Sequence, residues 1–194
     1  MPLDFFIDET FHLPANGSGE TFYVFAVVGL ERSSVKTFRR RLLTMANTTW
    51  WHSSKIIQTS GGRTRFKRIG QELGRYLELE IFAMLPISPE DNTGEKARRR
   101  LIRYLTMHLA SRDRQLSISF EMRKSGGQLK LDRDTISAIH TEQNLVFIRL
   151  QSPAQEPLLW LPDMLASAFR KKLVTDSSDL LESFGKEVLV TFIR

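Results

Sequence analysis

The chain has 194 residues and a mass of 22.4 kDa; 41% of the residues are hydrophobic and 26% are charged. This composition excludes a disordered, collagen-like or low-complexity protein, and the length is that of one domain spanning residues 1–194. The formal net charge of +6 suits an anionic partner, and the absence of cysteine excludes disulfides, thiolate zinc sites and cysteine nucleophiles.

The first part of the chain predicts two strands followed by two helices. Leu3–Ile7 and Thr21–Leu30 are β-prone and almost wholly apolar, as in strands buried on both faces. The turn-rich stretch Phe11–Gly19 joins them too closely for a parallel crossover, so we expect an antiparallel pair. One helix is predicted over residues 35–45 and another over Arg63–Leu73, on either side of an aperiodic stretch.

The rest of the chain alternates between strands and helices. Strands are predicted over Leu77–Leu85, Gln115–Arg123 and Leu145–Leu150, helices over Thr93–Ala110 and Pro162–Leu173, and a turn at Gly126-Gly127. The stretch Glu187–Ile193 is either a short strand or a tail packed on the body. Together these elements predict an α/β fold with a mixed sheet of about five strands flanked by helices.

The N-terminal residues have none of the features of a targeting signal. The apolar run Phe5–Ile7 ends in two acids, and no positive charge precedes it. The longest apolar stretch, Phe22–Leu30, is well short of the roughly 20 residues that span a bilayer. We therefore expect a cytoplasmic protein that does not insert into membranes.

Positive charge is concentrated behind the first two strands. Residues 1–31 hold five acids and neither Lys nor Arg, whereas residues 32–75 hold eleven Lys or Arg and one acid; a second basic cluster spans Lys96–Arg103. These charges are either solvated helix faces or a surface that binds phosphates. The residues singled out for binding nucleic acid are Lys55, Arg63, Arg65, Lys67 and Arg68.

Three carboxylates occupy apolar surroundings. Asp8 follows the first strand, Glu121 ends the polar face of a later strand, and Asp163 lies in the first turn of a late helix. Each has a plain structural alternative: a turn residue, the wet face of an edge strand, and a partner of the helix dipole. Glu9 points to the face opposite Asp8 and is assigned an auxiliary catalytic role.

Together, Asp8, Glu121 and Asp163 are predicted to converge at one end of the sheet. Clustered carboxylates repel one another, which raises their pKa values unless cations neutralise them. Because all ligands are oxygen atoms, Mg²⁺ or Mn²⁺ is the expected cofactor. Two such ions are what hydrolysis of a phosphodiester requires, one to activate water and one to stabilise the leaving oxygen.

His52 follows two tryptophans in the aperiodic stretch. It is interpreted either as a proton shuttle near the scissile group, with Lys55 contacting phosphate, or as part of a polar loop that Trp50 and Trp51 anchor in the core. The tryptophans are likewise either core residues or a surface on which bases stack.

Four segments, taken in order, resemble the domain-of-unknown-function 3800 family. They are Phe5–Thr10, Phe22–Leu30, Trp51–Lys55 and Leu159–Asp163. The resemblance implies a ribonuclease H-like fold with an acidic metal-binding site. The sequence departs from the family pattern at Thr10-Phe11, where the family has Ser-Gly, and at Trp160 and Pro162, where it has Gln and Ala.

Carried over by position, the resemblance matches Asp8, Glu121 and Asp163 to the family's acids. The leading hypothesis is thus a divalent-metal-dependent nuclease. The alternative is a non-catalytic module on the same fold that binds nucleic acid or a partner protein, in a mobile-element or defence system. A homo-oligomer or a complex with a partner protein is also predicted.

Overall fold

The computed structural model describes residues 2–14, 20–112, 116–142 and 146–193, which form six strands and seven helices. The strands are β1 (Leu3–His12), β2 (Phe22–Glu31), β3 (Glu78–Met84), β4 (Leu116–Glu121), β5 (Val146–Gln151) and β6 (Leu189–Phe192). The helices are α1 (Val35–Ala46), α2 (Ser53–Ile56), α3 (Gly62–Leu73), α4 (Glu95–Ala110), α5 (Gly126–Glu142), α6 (Trp160–Thr175) and α7 (Asp179–Glu182).

All six strands belong to one mixed sheet in the order β5-β4-β1-β2-β3-β6. The β1–β2 and β2–β3 pairs are antiparallel, whereas the β1–β4, β4–β5 and β3–β6 pairs are parallel. This confirms the predicted α/β class and the antiparallel first pair, and it is consistent with a ribonuclease H-like fold. β6 pairs with β3, so the last stretch is a strand rather than a tail.

Helices cover both faces of the sheet, which explains the continuous apolar sequence of β2. Side chains of α1, α3 and α6 pack on one face together with Phe6 and Val28; we call this the α6 face. Side chains of α4 and α5 pack on the other face together with Phe5 and Ile7; we call this the α4 face. Successive residues of β1 therefore point alternately into two separate cores.

β1 is longer than the sequence predicts. Instead of ending at Ile7, it continues to His12, because β2 supplies backbone partners along its whole length, from Leu3 opposite Glu31 to His12 opposite Phe22. Asp8 is consequently inside the strand, and its interpretation as a turn residue is wrong. Of the predicted loop at 11–19, residues 15–19 lie outside the described residues.

The turn predicted at Gly126-Gly127 is instead the start of α5. Local propensity disfavours a helix that opens with two glycines. Tertiary packing stabilises it, since Ile136 and Ile139 are buried and Asp132 is fully buried. The one-turn helix α2 was also not predicted from the sequence. As far as the structure describes the chain, its helices are all too short or too polar to cross a membrane.

Candidate functional site

The pairing of β1 with β4 brings two of the predicted acids side by side. Ile7 lies opposite Phe120 in this parallel pair, so Asp8 and Glu121 come next in register. Both point to the α6 face, because side chains alternate along each strand. β4 lies between β5 and β1, so the interpretation of Glu121 as a residue on an edge strand is wrong.

The third acid reaches the same place from α6. Asp163 lies in the first turn of this helix, and its Oδ2 atom accepts a hydrogen bond of 2.7 Å from the backbone N–H of Ser53. It lines a cavity of about 530 Å³ together with Asp8 and Glu121. We call Asp8, Glu121 and Asp163 the carboxylate cluster.

Burial and mutual repulsion disfavour ionisation of the carboxylate cluster. Burial, followed by the charges of Glu121, Glu9 and Asp163, raises the pKa of Asp8 well above its ordinary value. Burial and the charges of Asp163 and Glu9 raise the pKa of Glu121 to about 7. The pKa of Asp163 is raised by burial, against which hydrogen bonds from Ser53 act. The cluster therefore holds protons at pH values where exposed carboxyl groups have lost them.

The donor chemistry of the cluster fits a hard divalent cation. Among the described residues, no Lys, Arg or His lies within ion-pair distance of its three carboxylates. Buried carboxylates without a cationic partner are stabilised by a bound metal ion, and oxygen ligands select Mg²⁺ or Mn²⁺. Within the same described ranges, no group of three acid or histidine side chains has the spacing of a completed metal site.

Glu9, the neighbour of Asp8, points to the α4 face and is neutralised there. Its Oε1 atom lies 2.5 Å from Nη1 of Arg98, a side chain with no exposed surface. Arg98 also forms a two-pronged pair with the fully buried Asp132, at 2.8 Å from Nε to Oδ1 and 2.9 Å from Nη2 to Oδ2. The Tyr23 hydroxyl accepts a further hydrogen bond of 3.0 Å from Nη1.

A second arginine extends this group of charges to the cavity wall. Arg123 donates to Asp132 through Nη2 at 2.8 Å and pairs with Glu95, which begins α4. Arg123, Glu95 and Glu9 all line the cavity. We call Arg98, Glu9, Asp132, Arg123 and Glu95 the Arg98 network. The lining of the cavity therefore includes charges that are already compensated within the protein.

The charge pattern placed Arg98 in a basic cluster that was a candidate phosphate-binding surface, but the structure buries this side chain. Burial favours its neutral form, but the charge of Glu9 and the hydrogen bonds to Asp132 outweigh burial and raise its pKa. The spacing of Arg98 from Leu101, Ile102 and Leu105 places it on the apolar face of α4, and this was the available signal. Asp132 carried no comparable signal, because α5 itself was not predicted.

His52 lies at the cavity rim on a loop that one tryptophan anchors. Trp51 is buried and stacks on Trp160 at 6.2 Å between ring centroids, and its Nε1–H donates to Ser53 Oγ at 2.8 Å. Trp50 is 53% exposed, so the interpretation with both tryptophans in the core is wrong for this residue. The ring of His52 is exposed, and its charged form lowers the pKa of Asp163. A role in proton transfer stays a prediction.

The five basic residues singled out from the sequence lie on α2 and α3. None of them is among the described residues that line the cavity. Arg63 and Lys67 pair with Asp179 at 2.5 and 3.0 Å, and Arg68 donates to the backbone oxygen of Met45. Lys55 and Arg65 lie on the same two helices. The cations that do line the cavity are Arg123 and Lys124.

No protein-family model matches the chain, and a search of the curated proteins finds no match. The resemblance to the domain-of-unknown-function 3800 family stays a prediction. Functional inference therefore depends on the chemistry of the cavity.

Proposed function

We propose that this protein is a divalent-metal-dependent nuclease that hydrolyses phosphodiester bonds at the carboxylate cluster. The observation that carries the proposal is the convergence of the buried Asp8 and the half-buried Glu121 and Asp163 on one face of the sheet, without an ion-paired arginine or lysine among the described residues. A bound divalent cation would offset the repulsion within the cluster and favour the ionised carboxylates.

Asp8, Glu121 and Asp163 would hold the metal. Bound Mg²⁺ or Mn²⁺ would supply activation of water and stabilisation of the leaving oxygen. Asp163 is oriented by the N–H of Ser53, which Trp51 in turn holds through the Ser53 hydroxyl. Ser53 and Trp51 thus hold Asp163 in place, the one proposed ligand that comes from a helix rather than a strand.

The cavity wall would receive the substrate through Lys124. Among the described residues Lys124 forms no ion pair, so it would meet a substrate phosphate next to the carboxylate cluster, whereas Arg123 is already paired with Glu95 and Asp132. His52 at the rim would be the side chain that transfers a proton to or from the scissile group. The buried Trp51 and Trp160 add apolar surface to the lining of the cavity.

The proposal is tested by cleavage of labelled single-stranded and double-stranded DNA and RNA in Mg²⁺, in Mn²⁺ and in EDTA. We expect cleavage by the wild type with metal only, and loss of cleavage in Asp8→Asn. Asp4→Asn is the matched control, because Asp4 lies on the same strand and pairs with Arg32 away from the cavity. It should cleave as the wild type does.

Equal cleavage by the wild type and Asp8→Asn would contradict the assignment. Binding of nucleic acid without cleavage in any metal would favour the non-catalytic module instead. The expected cytoplasmic location, and a homo-oligomer or partner protein, stay predictions that this experiment does not address.

A further inference from the structure

A second cavity of about 540 Å³ runs between α4 and α5, and its lining is strongly basic. From α4 it is lined by four cations, and from α5 by one acid and three small or apolar residues. We call it the basic groove; its residues are Lys96, Arg99, Arg100, Arg103, Leu131, Asp134, Thr135 and Ala138.

The four cations of the basic groove differ from their neighbour Arg98. Arg98 is buried between two carboxylates, whereas within the described part of the chain none of the four forms an ion pair. Lys96, Arg99 and Arg103 follow one another at spacings of three and four residues, where like charges destabilise a helix by a few tenths of a kcal/mol per pair. An anionic ligand would relieve this repulsion.

On both α4 and α5 the residues that line the basic groove follow soon after residues that line the cavity with the carboxylate cluster. Glu95 at the start of α4 and Gln128 in α5 line the first cavity. One turn further along each helix, Arg99 and Leu131 line the basic groove. Both helices therefore lead away from the acids, and the cations extend over about 10 Å from Lys96 to Arg103 at the helical rise of 1.5 Å per residue.

We propose that the basic groove binds the sugar-phosphate backbone of the nucleic-acid strand whose scissile bond lies at the carboxylate cluster. The inference rests on the proposed function and names the binding surface for its substrate. Four Lys and Arg side chains against the single acid Asp134 suit the phosphates of a strand, whose contacts position it without reading its sequence. The groove, rather than the partly ion-paired cations of α3, then directs the strand to the cavity.

The test measures binding of labelled DNA and RNA strands by fluorescence anisotropy in EDTA, so that cleavage plays no part. The groove variant is Arg99→Gln with Arg103→Gln. The matched control is Lys36→Gln with Arg40→Gln, which removes two exposed charges at the same spacing from α1 on the opposite face of the sheet. Thermal melting checks that both variants fold.

We expect the groove variant to bind roughly tenfold more weakly than the control between about 50 and 200 mM salt. For two lost phosphate contacts, the slope of log K against log salt should become less negative by about 1.4 with single strands and about 1.8 with duplex DNA. Equal weakening in both variants would overturn the proposal. So would a wild type that fails to bind nucleic acid, or that binds poly-glutamate equally well.

Failure of the proposed function is seen separately. Cleavage by the wild type in Mg²⁺ or Mn²⁺ reports on the carboxylate cluster, whereas the binding that the groove variant loses in EDTA reports on the basic groove. If groove-dependent binding is present and cleavage is absent, the nuclease proposal fails and the groove stands. If cleavage requires Asp8 but is unaffected in the groove variant, the groove proposal fails alone.

Discussion

Asp8 and Glu9 are neighbours in β1, yet their carboxylates meet opposite environments. Asp8 points to the α6 face, where Glu121 and Asp163 add two more negative charges. Glu9 points to the α4 face, where the buried guanidinium of Arg98 lies 2.5 Å from its Oε1 atom. Strand alternation separates them, so one strand carries both an uncompensated and a compensated acid.

This difference separates a binding site from a structural one. In the Arg98 network each carboxylate has an arginine partner, and the raised pKa of Arg98 shows that the charged pair is favoured in spite of burial. In the carboxylate cluster burial raises the pKa of all three groups, and repulsion by neighbouring acids adds to it at Asp8 and Glu121. The first region is complete within the protein, whereas the second fits an added cation.

The largest expected effect comes from breaking the compensated region. Arg98→Met leaves Glu9 and Asp132 with one less buried cation. Removing one partner of a buried ion pair costs about 3–5 kcal/mol in the free energy of unfolding, which urea denaturation measures. Arg100→Met on the same helix is exposed and should change it by less than about 0.5 kcal/mol. Similar values for the two variants would contradict the structural role of the network.

The second-largest effect is an increase in the free energy of unfolding, and it depends on pH. Because folding raises the pKa of Glu121 from 4.5 to about 7, the folded state binds the proton more tightly, and stability is lost as the pH rises through 7. Such a shift corresponds to at most about 3 kcal/mol, which partial exposure reduces to about 2. Glu121→Gln should therefore be more stable than the wild type at pH 8 in EDTA, and no more stable at pH 4.

The paired control for this substitution is Glu9→Gln. It makes the same chemical change in the compensated region and removes a charge that stabilises Arg98. We expect it to lower the free energy of unfolding at pH 8 by about 1–2 kcal/mol. Changes of the same sign in Glu121→Gln and Glu9→Gln would show that the two faces of β1 do not differ electrostatically.

The smallest effect concerns the positioning of Asp163. Ser53→Ala keeps the backbone N–H that donates to Asp163 but removes the hydroxyl that accepts from Trp51. We expect a loss of about 1 kcal/mol in the free energy of unfolding, together with a higher pKa for Asp163. Carbon-detected NMR titration of the carboxyl measures that pKa. An unchanged value would mean that the hydroxyl does not stabilise the ionised form.

Local sequence patterns predicted most of the sheet and the acids of the cluster. β2 and β4 have clear apolar patterns, and Asp8, Glu121 and Asp163 stand out because each interrupts or ends an apolar stretch. The extension of β1 to His12 was not predictable in this way, since backbone pairing with β2 determines it.

The Arg98 network shows where local patterns fail. Arg98 lies within a run of cations on α4, and although helical spacing places it on the apolar face, that spacing does not identify its partners on β1 and α5. These partners are 89 and 34 positions away along the chain. The ion pairs that occupy Arg63 and Lys67 likewise depend on Asp179 in α7. Tertiary contacts, rather than composition, decide which cations stay available to a ligand.

Calorimetric titration of Mn²⁺ into the wild type and Asp8→Asn at pH 8 tests most directly whether the carboxylate cluster holds a divalent cation. We expect the wild type to bind Mn²⁺, binding to weaken at pH 5 because the ion then displaces protons, and Asp8→Asn to lose it. Glu9→Gln should still bind, because its carboxylate is already paired with Arg98. Equal Mn²⁺ binding by the wild type and Asp8→Asn, or none by the wild type at pH 8, would contradict the assignment.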